Sequence, residues 1–300
     1  MHDDLSHRPT YRGELLRTPT IMNALHVLLI TPVLLAGCTA IPQTFTPEQP
    51  IAARTFSHRF FDTVLQAHVQ DGVVQYPAIA QNTIFTEYLH QLDHIAPTQL
   101  PTPNDRLAFW INAYNAFAIK GILDGYSPKT FTGRYQYFVN QRYAVGGETI
   151  NLYDLERGLL IPNFREPRIH FAIVCASHSC PKLQSWAFTG GQIDEQLTES
   201  AKQFINDPTR NHFDHQKNIA YLSKIFDWFM DDFVNHSGSL TRYVAQYVND
   251  PNVAEALTNG QYTVQFLEYD WSLNGIAPES TNLVSQHGET RPSQPTSLNK

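Results

Sequence analysis

The sequence predicts an α+β fold, with a single domain in which a buried central helix packs against a mixed or antiparallel sheet. Helical and β-prone segments are mixed along the chain, without the regular strand–helix–strand repeat of a parallel sheet. One long helical segment is apolar on every side, which is typical of a helix surrounded by other elements. The chain has 300 residues, of which 42% are apolar, so it can bury one substantial core.

The central helix is the clearest element in the sequence. Thr102 is a suitable N-cap and Pro103 fits the first helical position, while Gly125 predicts the end of the helix. Large apolar residues occupy all sides between these two ends. We therefore expect the helix to be buried, with Trp110 and Tyr114 largely inaccessible to solvent.

The other elements follow from shorter patterns. Helical periodicity occurs at residues 58–72, 85–95, 198–207 and 224–234. A Gly-Gly turn at residues 146–147 lies between β-prone flanks and predicts a hairpin. Two further strands are expected, at residues 168–176 and at residues 262–274, where the strand would run into a turn.

The N-terminal region has the pattern of a lipoprotein signal. Its apolar run, residues 24–35, is shorter than the roughly 20 residues that span a membrane, but it suits a secretory signal peptide. The run ends in the tetrapeptide LAGC, which is typical of bacterial lipoproteins lipidated on the cysteine, here Cys38. We expect residues 1–38 to be the signal and the lipid on Cys38 to anchor the protein in the cell envelope, at the outer membrane facing the periplasm. An ordinary signal peptide, or a buried helix with a chance cysteine, is the alternative.

The remaining chain divides by composition. Residues 39–54 are rich in proline and threonine and predict a linker, and residues 55–275 form the domain. Residues 276–300 lack apolar periodicity and predict a disordered tail. The net charge is −7 and no lysine- or arginine-rich run occurs, so we exclude nucleic acid as a partner.

The segment HFAIVCASHSC, residues 170–180, concentrates two histidines and two cysteines. In an exported protein with Cys38 lipidated, Cys175 and Cys180 are the two thiols left and predict a disulfide. The alternative is a catalytic Cys175 with His170 as its base. A straight strand would point those two side chains to opposite faces, which disfavours the pair. A metal site would need reduced thiols and a fourth ligand, and we predict neither a metal nor another cofactor.

Several polar residues are candidates for a binding pocket near His170. Asn112 and Asn115 lie three apart on the apolar helix, where a buried amide needs a partner. Each either bonds to the backbone of a neighbouring loop or forms the polar wall of a pocket. We expect the imidazole of His170 near these amides or near a carboxylate at the end of the chain.

That carboxylate would come from Glu268 or Asp270, which lie two apart and so share one face of the last predicted strand. Such a pair can do acid–base work, because each charge raises the pKa of the other carboxyl. The same residues can equally form an ion pair with Arg106 or Arg168. Arg168, Glu268 and Asp270 are therefore included among the pocket candidates.

Four separated motifs resemble one known family. They are FWINAYNAFAIKGIL, PRIHFAIVCASHSCPKL, KIFDWFMDDF and EYDWSLN. In this order, over roughly residues 100–275, they are similar to the family of domain of unknown function 547 (DUF547). The resemblance implies a bacterial envelope protein whose activity is unassigned. His178 is not part of the family pattern.

Two functions remain open from the sequence. The first is a module that binds a peptide or an envelope component, with Cys175 locked to Cys180. The second is a cysteine-type hydrolase or transferase, in which Cys175 and His170 act beside the Asn112 and Asn115 face. The state of Cys175 separates the two hypotheses, since an enzyme of this type needs a free thiol.

Overall fold

The computed structural model describes residues 41–42 and 44–278 and confirms the α+β prediction. Cys38, the rest of the predicted signal and residues 279–300 of the predicted tail lie outside the described residues. Within the described part of the chain, no helix is both long enough and apolar enough to cross a membrane.

Helices predominate in the described residues. The α-helices are Arg59–His68 (α1), Tyr76–Ala80 (α2), Thr83–His94 (α3), Pro103–Leu123 (α4), Phe131–Tyr135 (α5), Ile161–Phe164 (α6), Ile193–Ile205 (α7), Lys224–Trp228 (α8), Met230–Ser237 (α9), Leu240–Ala245 (α10) and Pro251–Thr258 (α11). Two π-helical segments occur, at Gln136–Asn140 and Asp154–Leu160, and two 3₁₀ helices, at Pro97–Gln99 and Pro167–Phe171.

The strands of the described residues are short and form three small sheets. They are Val69–Gln70 (β1), Val73–Gln75 (β2), Tyr143–Val145 (β3), Glu148–Ile150 (β4), His212–Asp214 (β5), Ile219–Leu222 (β6), Thr263–Phe266 (β7) and Gly275–Ile276 (β8). The order β1-β2-β8 and the order β5-β6-β7 each combine an antiparallel pair with a parallel pair. The predicted hairpin is the antiparallel pair β3-β4, with Val145 opposite Glu148 across the two glycines.

The central helix α4 forms as its sequence predicts. Thr102 accepts from the N–H of Asp105, whose carboxylate accepts from Thr102 in return, which completes a capping box. Fifteen residues of α4 are buried on all sides of the helix, and Trp110 and Tyr114 are only 5% and 1% exposed. The predicted burial of both side chains is therefore confirmed.

Within residues 41–42 and 44–278, the buried apolar residues form two clusters. The larger one surrounds α4, and the smaller one gathers around Phe171, Phe226 and Phe233 between α7, α8 and α9. Tyr269 packs against both clusters, so the loop that carries it lies where they meet. Part of the predicted linker also joins the larger cluster, since Phe45 packs edge-on against Trp110 with ring centres 5.0 Å apart.

The strand predicted over 168–176 is wrong. The chain forms a 3₁₀ helix at Pro167–Phe171 and then continues without regular structure. Asn115 accepts from the N–H of Val174 at 2.8 Å and donates to the carbonyl of Ala172 at 2.9 Å. Because this one buried amide satisfies two backbone groups, the apolar run needs no neighbouring strand.

Two other elements are shorter than predicted. The helix expected over 224–234 is divided at Phe229 into α8 and α9. The strand expected over 262–274 ends at Phe266. The residues that follow it form a loop instead, and this loop lies against the segment that carries the two cysteines.

Candidate functional site

A cavity of about 180 Å³ lies beside the two cysteines, and we call it the aromatic cavity. Its aromatic lining consists of Tyr114, Phe138, Tyr153, Trp228, Phe229, Tyr269 and Trp271. Glu156, Arg157, His170 and both cysteines also line it, together with Ile173, Pro181 and Ile225. These residues come from α4, both π-helical segments, α8 and the loop after β7, so the fold assembles the cavity from distant parts of the sequence.

Cys175 and Cys180 form a disulfide at the wall of the aromatic cavity, as the sequence predicts. Their Cα atoms are 6.3 Å apart, within the range that a disulfide spans. Cys175 is partly exposed, whereas Cys180 is only 2% exposed. The hydroxyl groups of Ser177 and Tyr269 lie 3.1–3.3 Å from both sulfur atoms and 2.9 Å from each other.

The disulfide loop, residues 175–180, is held by bonds that do not involve sulfur. The loop after β7 accepts from the N–H of His178 at 2.6 Å and donates to the carbonyl of Ala176 at 3.1 Å. Arg210 donates to the carbonyls of Cys180 at 2.7 Å and His178 at 2.9 Å. Ala176 has a φ of 63°, a left-handed conformation that costs a non-glycine residue about 1–3 kcal/mol. This strained alanine lies directly after Cys175.

Three aromatic rings form a continuous wall of the cavity. Trp228 lies 4.7 Å from Tyr269 and 5.7 Å from Trp271, and the last two rings are 4.5 Å apart. The guanidinium of Arg134 stacks over Trp271 at 4.7 Å. Trp228 is 39% exposed, so the wall presents apolar surface to the cavity mouth.

Glu156 is the carboxyl group that lines the cavity, and its side chain is 16% exposed. Burial raises its pKa from the ordinary 4.5 to about 7, while Arg157 and a hydrogen bond from Tyr114 act in the opposite direction. The Tyr114 hydroxyl donates to Oε2 of Glu156 at 3.2 Å. The Arg157 guanidinium stacks over Phe229 at 4.0 Å, with its Nε at 4.0 Å from the Glu156 carboxylate. Near neutral pH this carboxyl can therefore either donate or accept a proton.

His170 has a partner that the sequence analysis missed. Its Nε2 lies 2.8 Å from Oδ2 of Asp232 on α9, and the imidazole packs against Phe229 with ring centres 3.9 Å apart. Burial lowers the pKa of His170, although Asp232 acts to raise it. Its Nδ1 is buried and has no hydrogen-bond partner among the described residues. We expected the imidazole to lie near Asn112, Asn115, Glu268 or Asp270. Its hydrogen-bond partner is Asp232 instead.

The two asparagines of α4 bond to backbone. Asn112 accepts from the N–H of Phe188 and donates to its carbonyl, at 2.9 and 2.8 Å. Asn115 makes the equivalent pair of bonds to Ala172 and Val174. Neither amide lines the aromatic cavity. Both therefore fix loops around the central helix, and Asn115 shapes the segment that leads to Cys175.

The remaining pocket candidates lie outside the cavity. Arg168 donates to both carboxylate oxygens of Glu166 and pairs with Asp194 at 2.8 Å. Glu268 and Asp270 are both exposed, and Asp270 accepts from the backbone of its own loop. Tyr269 and Trp271, which alternate with these two residues, line the cavity instead.

Sequence reasoning missed Glu156 and Asp232 as site residues. Glu156 follows the β3-β4 hairpin in a stretch without a distinctive sequence pattern. Only tertiary packing shows that its carboxyl is removed from solvent. Asp232 lies in the motif KIFDWFMDDF, where several acidic residues are equally plausible from the sequence. Tyr269 and Trp271 alternate with the acidic residues of EYDWSLN, so choosing the wrong face selected the wrong residues.

Comparison with known families gives one match. Residues 97–205 match the model described as Protein of unknown function, DUF547. The match supports the resemblance of this chain to the DUF547 family. Its description assigns no activity, and comparisons with curated proteins and with solved structures find no match. The matched segment contains α4, Glu156, His170 and the disulfide, whereas Trp228, Asp232 and Tyr269 lie beyond it.

Metal ligands do not cluster in the described part of the chain. No group of three or more histidine, cysteine, aspartate or glutamate side chains there has the arrangement of a metal site. The aromatic cavity itself presents a disulfide, a carboxyl–tyrosine pair and the imidazole of His170.

Proposed function

We propose that the protein is a binding module of the cell envelope that accepts an apolar side chain of a peptide in the aromatic cavity. The observation that carries this proposal is the aromatic wall formed by Trp228, Tyr269 and Trp271 beside a cavity of about 180 Å³. A dry engineered cavity of about 150 Å³ binds benzene, so the available space suits a single ring or one apolar side chain.

The mouth of the cavity supports a peptide as the ligand. Trp228 and Tyr153 are 39% and 53% exposed, although both side chains are large and apolar. Aromatic residues and arginine are enriched where proteins bind other chains, and both Arg157 and Arg134 stack on rings of this region. Glu156 provides a hydrogen-bonding group for the backbone of a bound peptide.

Binding should be measurable by titration calorimetry with N-acetylphenylalaninamide, a single aromatic residue with two amide groups. We expect saturable binding that Trp228→Ala weakens at least about ten-fold, since a buried aromatic contact is commonly worth more than 1 kcal/mol. Trp186→Ala is the matched control, because Trp186 is also partly exposed but lies outside the aromatic cavity.

Two results would overturn the peptide proposal. One is equal weakening by the two tryptophan substitutions, which would place binding elsewhere or make it non-specific. The other is binding of N-acetylglucosamine in preference to the amide, since aromatic rings beside a carboxyl also suit a sugar. That result would assign the site to a glycan component of the envelope.

The second candidate is a cysteine-type hydrolase or transferase. The observation that favours it is the pair of His170 and Asp232, in which a carboxylate orients an imidazole that lines the same cavity as Cys175. In such an enzyme Cys175 would attack the substrate and His170 would act as its base. This function requires reduction of the bond to Cys180 before the first turnover.

Localisation to the envelope rests on the lipid anchor proposed at Cys38. We expect the wild-type protein to partition into the detergent phase, and Cys38→Ala to release it or to leave the signal uncleaved. Cys180→Ala is the matched control, because it removes a cysteine that the anchor does not need. Unchanged membrane association of the Cys38→Ala protein would contradict the anchor.

A further inference from the structure

We propose that the Cys175–Cys180 disulfide is a thiol–disulfide exchange site, which accepts a thiol from the aromatic cavity. The inference does not depend on peptide binding, because it rests on the surroundings of the two sulfur atoms. The substrate is an aliphatic thiol, either a small molecule or a cysteine side chain of a peptide.

The two cysteines differ in access. Cys175 is partly exposed and Cys180 is 2% exposed, although both line the cavity wall. A thiolate entering from the cavity therefore meets Cys175 as the accessible sulfur. Attack there breaks the bond to Cys180, which leaves as a thiolate.

The surroundings of Cys180 suit this leaving group. The backbone N–H of Cys175 donates to the sulfur of Cys180 at 3.0 Å. The hydroxyl groups of Ser177 and Tyr269 lie 3.3 and 3.2 Å from the same sulfur. Hydrogen bonds to the charged form favour it, and a thiol of lower pKa leaves faster. Burial raises the pKa of Tyr269, so its hydroxyl keeps the proton that it donates.

The disulfide bond can break and re-form while the backbone of the disulfide loop keeps its conformation. Its backbone is held by Arg210 and by the loop after β7, independently of the sulfur bond. The left-handed conformation of Ala176 is maintained by the same contacts, since its carbonyl accepts from the N–H of Asn274. After reduction, the two thiols therefore remain close enough to re-form the bond.

The exchange balances in two steps. A first thiolate attacks Cys175 and forms a mixed disulfide, while Cys180 leaves as a thiolate and then takes up a proton. A second thiolate attacks the substrate sulfur of the mixed disulfide and releases Cys175. Two substrate thiols are thus oxidised to one disulfide, and the protein disulfide is reduced by two electrons. A low-molecular-weight disulfide reverses both steps and restores the starting state.

The test is to expose the folded, oxidised protein to reduced glutathione, quench with acid and identify the adduct by mass spectrometry. Cys38→Ala is present throughout, so that Cys175 and Cys180 are the two cysteines left. We expect the glutathione adduct on Cys175, formed well before global unfolding. In single-thiol variants treated with oxidised glutathione, Cys175 of Cys180→Ser should react about ten-fold faster than Cys180 of Cys175→Ser.

Tyr269→Phe removes one donor to the leaving sulfur and should slow reduction about ten-fold, as expected for a hydrogen bond to a charged group. Tyr137→Phe is the matched control, because it removes a buried tyrosine hydroxyl, which donates to the carbonyl of Ala118, and Tyr137 lies outside the aromatic cavity. If Tyr269→Phe fails to fold, the position of the adduct in the otherwise wild-type protein still decides the question.

The proposal is overturned if the disulfide is reduced only as fast as the protein unfolds, or if the adduct forms on Cys180. Either result makes the bond a structural link. N-acetylcysteine and N-acetyl-Cys-Phe-amide separate a small thiol from a peptide, since the peptide should react faster if its ring enters the cavity. Exchange without binding of N-acetylphenylalaninamide would reject the proposed function alone.

Discussion

Trp110→Ala should lower the free energy of unfolding by about 3–5 kcal/mol, the range for removing a large aromatic side chain from a packed core. Trp110 is 5% exposed and contacts Phe45 and Phe109, with both pairs of ring centres 5.0 Å apart. The space left by the indole lies inside the larger cluster, where rigid neighbours limit collapse. Urea unfolding followed by far-UV circular dichroism gives the value.

Trp186→Ala is the control for this substitution. It deletes the same side chain at a partly exposed position, so its cost should be clearly smaller. Equal losses for the two variants would contradict the burial of α4 as the centre of the core.

Glu156→Gln should stabilise the protein above neutral pH. Burial raises the pKa of Glu156 from 4.5 to about 7, so the folded state holds this proton more tightly than the unfolded state does. The contribution of this proton to the free energy of unfolding is fully present below pH 4.5 and is lost as the pH rises to about 7. At roughly 1.4 kcal/mol per unit of pKa, the loss is about 3 kcal/mol. Because glutamine does not ionise, the Glu156→Gln variant does not lose this free energy.

Unfolding midpoints on both sides of this pH window test the sign. Glu166→Gln is the control with the opposite expectation. Burial acts to raise the pKa of Glu166, but hydrogen bonds from Arg168 lower it overall. The stability that ionised Glu166 contributes to the folded state is present above its ordinary pKa and is lost as the pH falls. Glu166→Gln should therefore destabilise the protein at neutral pH. A pH-independent effect of Glu156→Gln would show that this carboxyl is not held protonated.

Local patterns predicted the elements whose signals lie within one segment. The ends of α4 follow from Thr102, Pro103 and Gly125, and its burial follows from apolar residues on every side. The disulfide follows from two cysteines five residues apart. In each case neighbours in the sequence carry the physical cause.

The site depended on contacts that the sequence does not display. Asp232 is 62 residues from His170, and no local pattern distinguishes it from the adjacent Asp231. The strand prediction for 168–176 failed because a side chain of α4, Asn115, replaced a neighbouring strand as the hydrogen-bond partner. That failure also removed the alternation of faces used to place His170 relative to Cys175.

The most direct test of the aromatic cavity as the binding site is fluorine NMR of protein labelled with fluorotryptophan. The chain has four tryptophans, of which Trp228 and Trp271 line the cavity and Trp110 and Trp186 do not. Each signal is assigned by substituting one tryptophan at a time with phenylalanine. On titration with N-acetylphenylalaninamide, the signals of Trp228 and Trp271 should shift together and saturate, while the other two stay in place. Shifts at Trp186 alone, or at none of the four, would contradict the account.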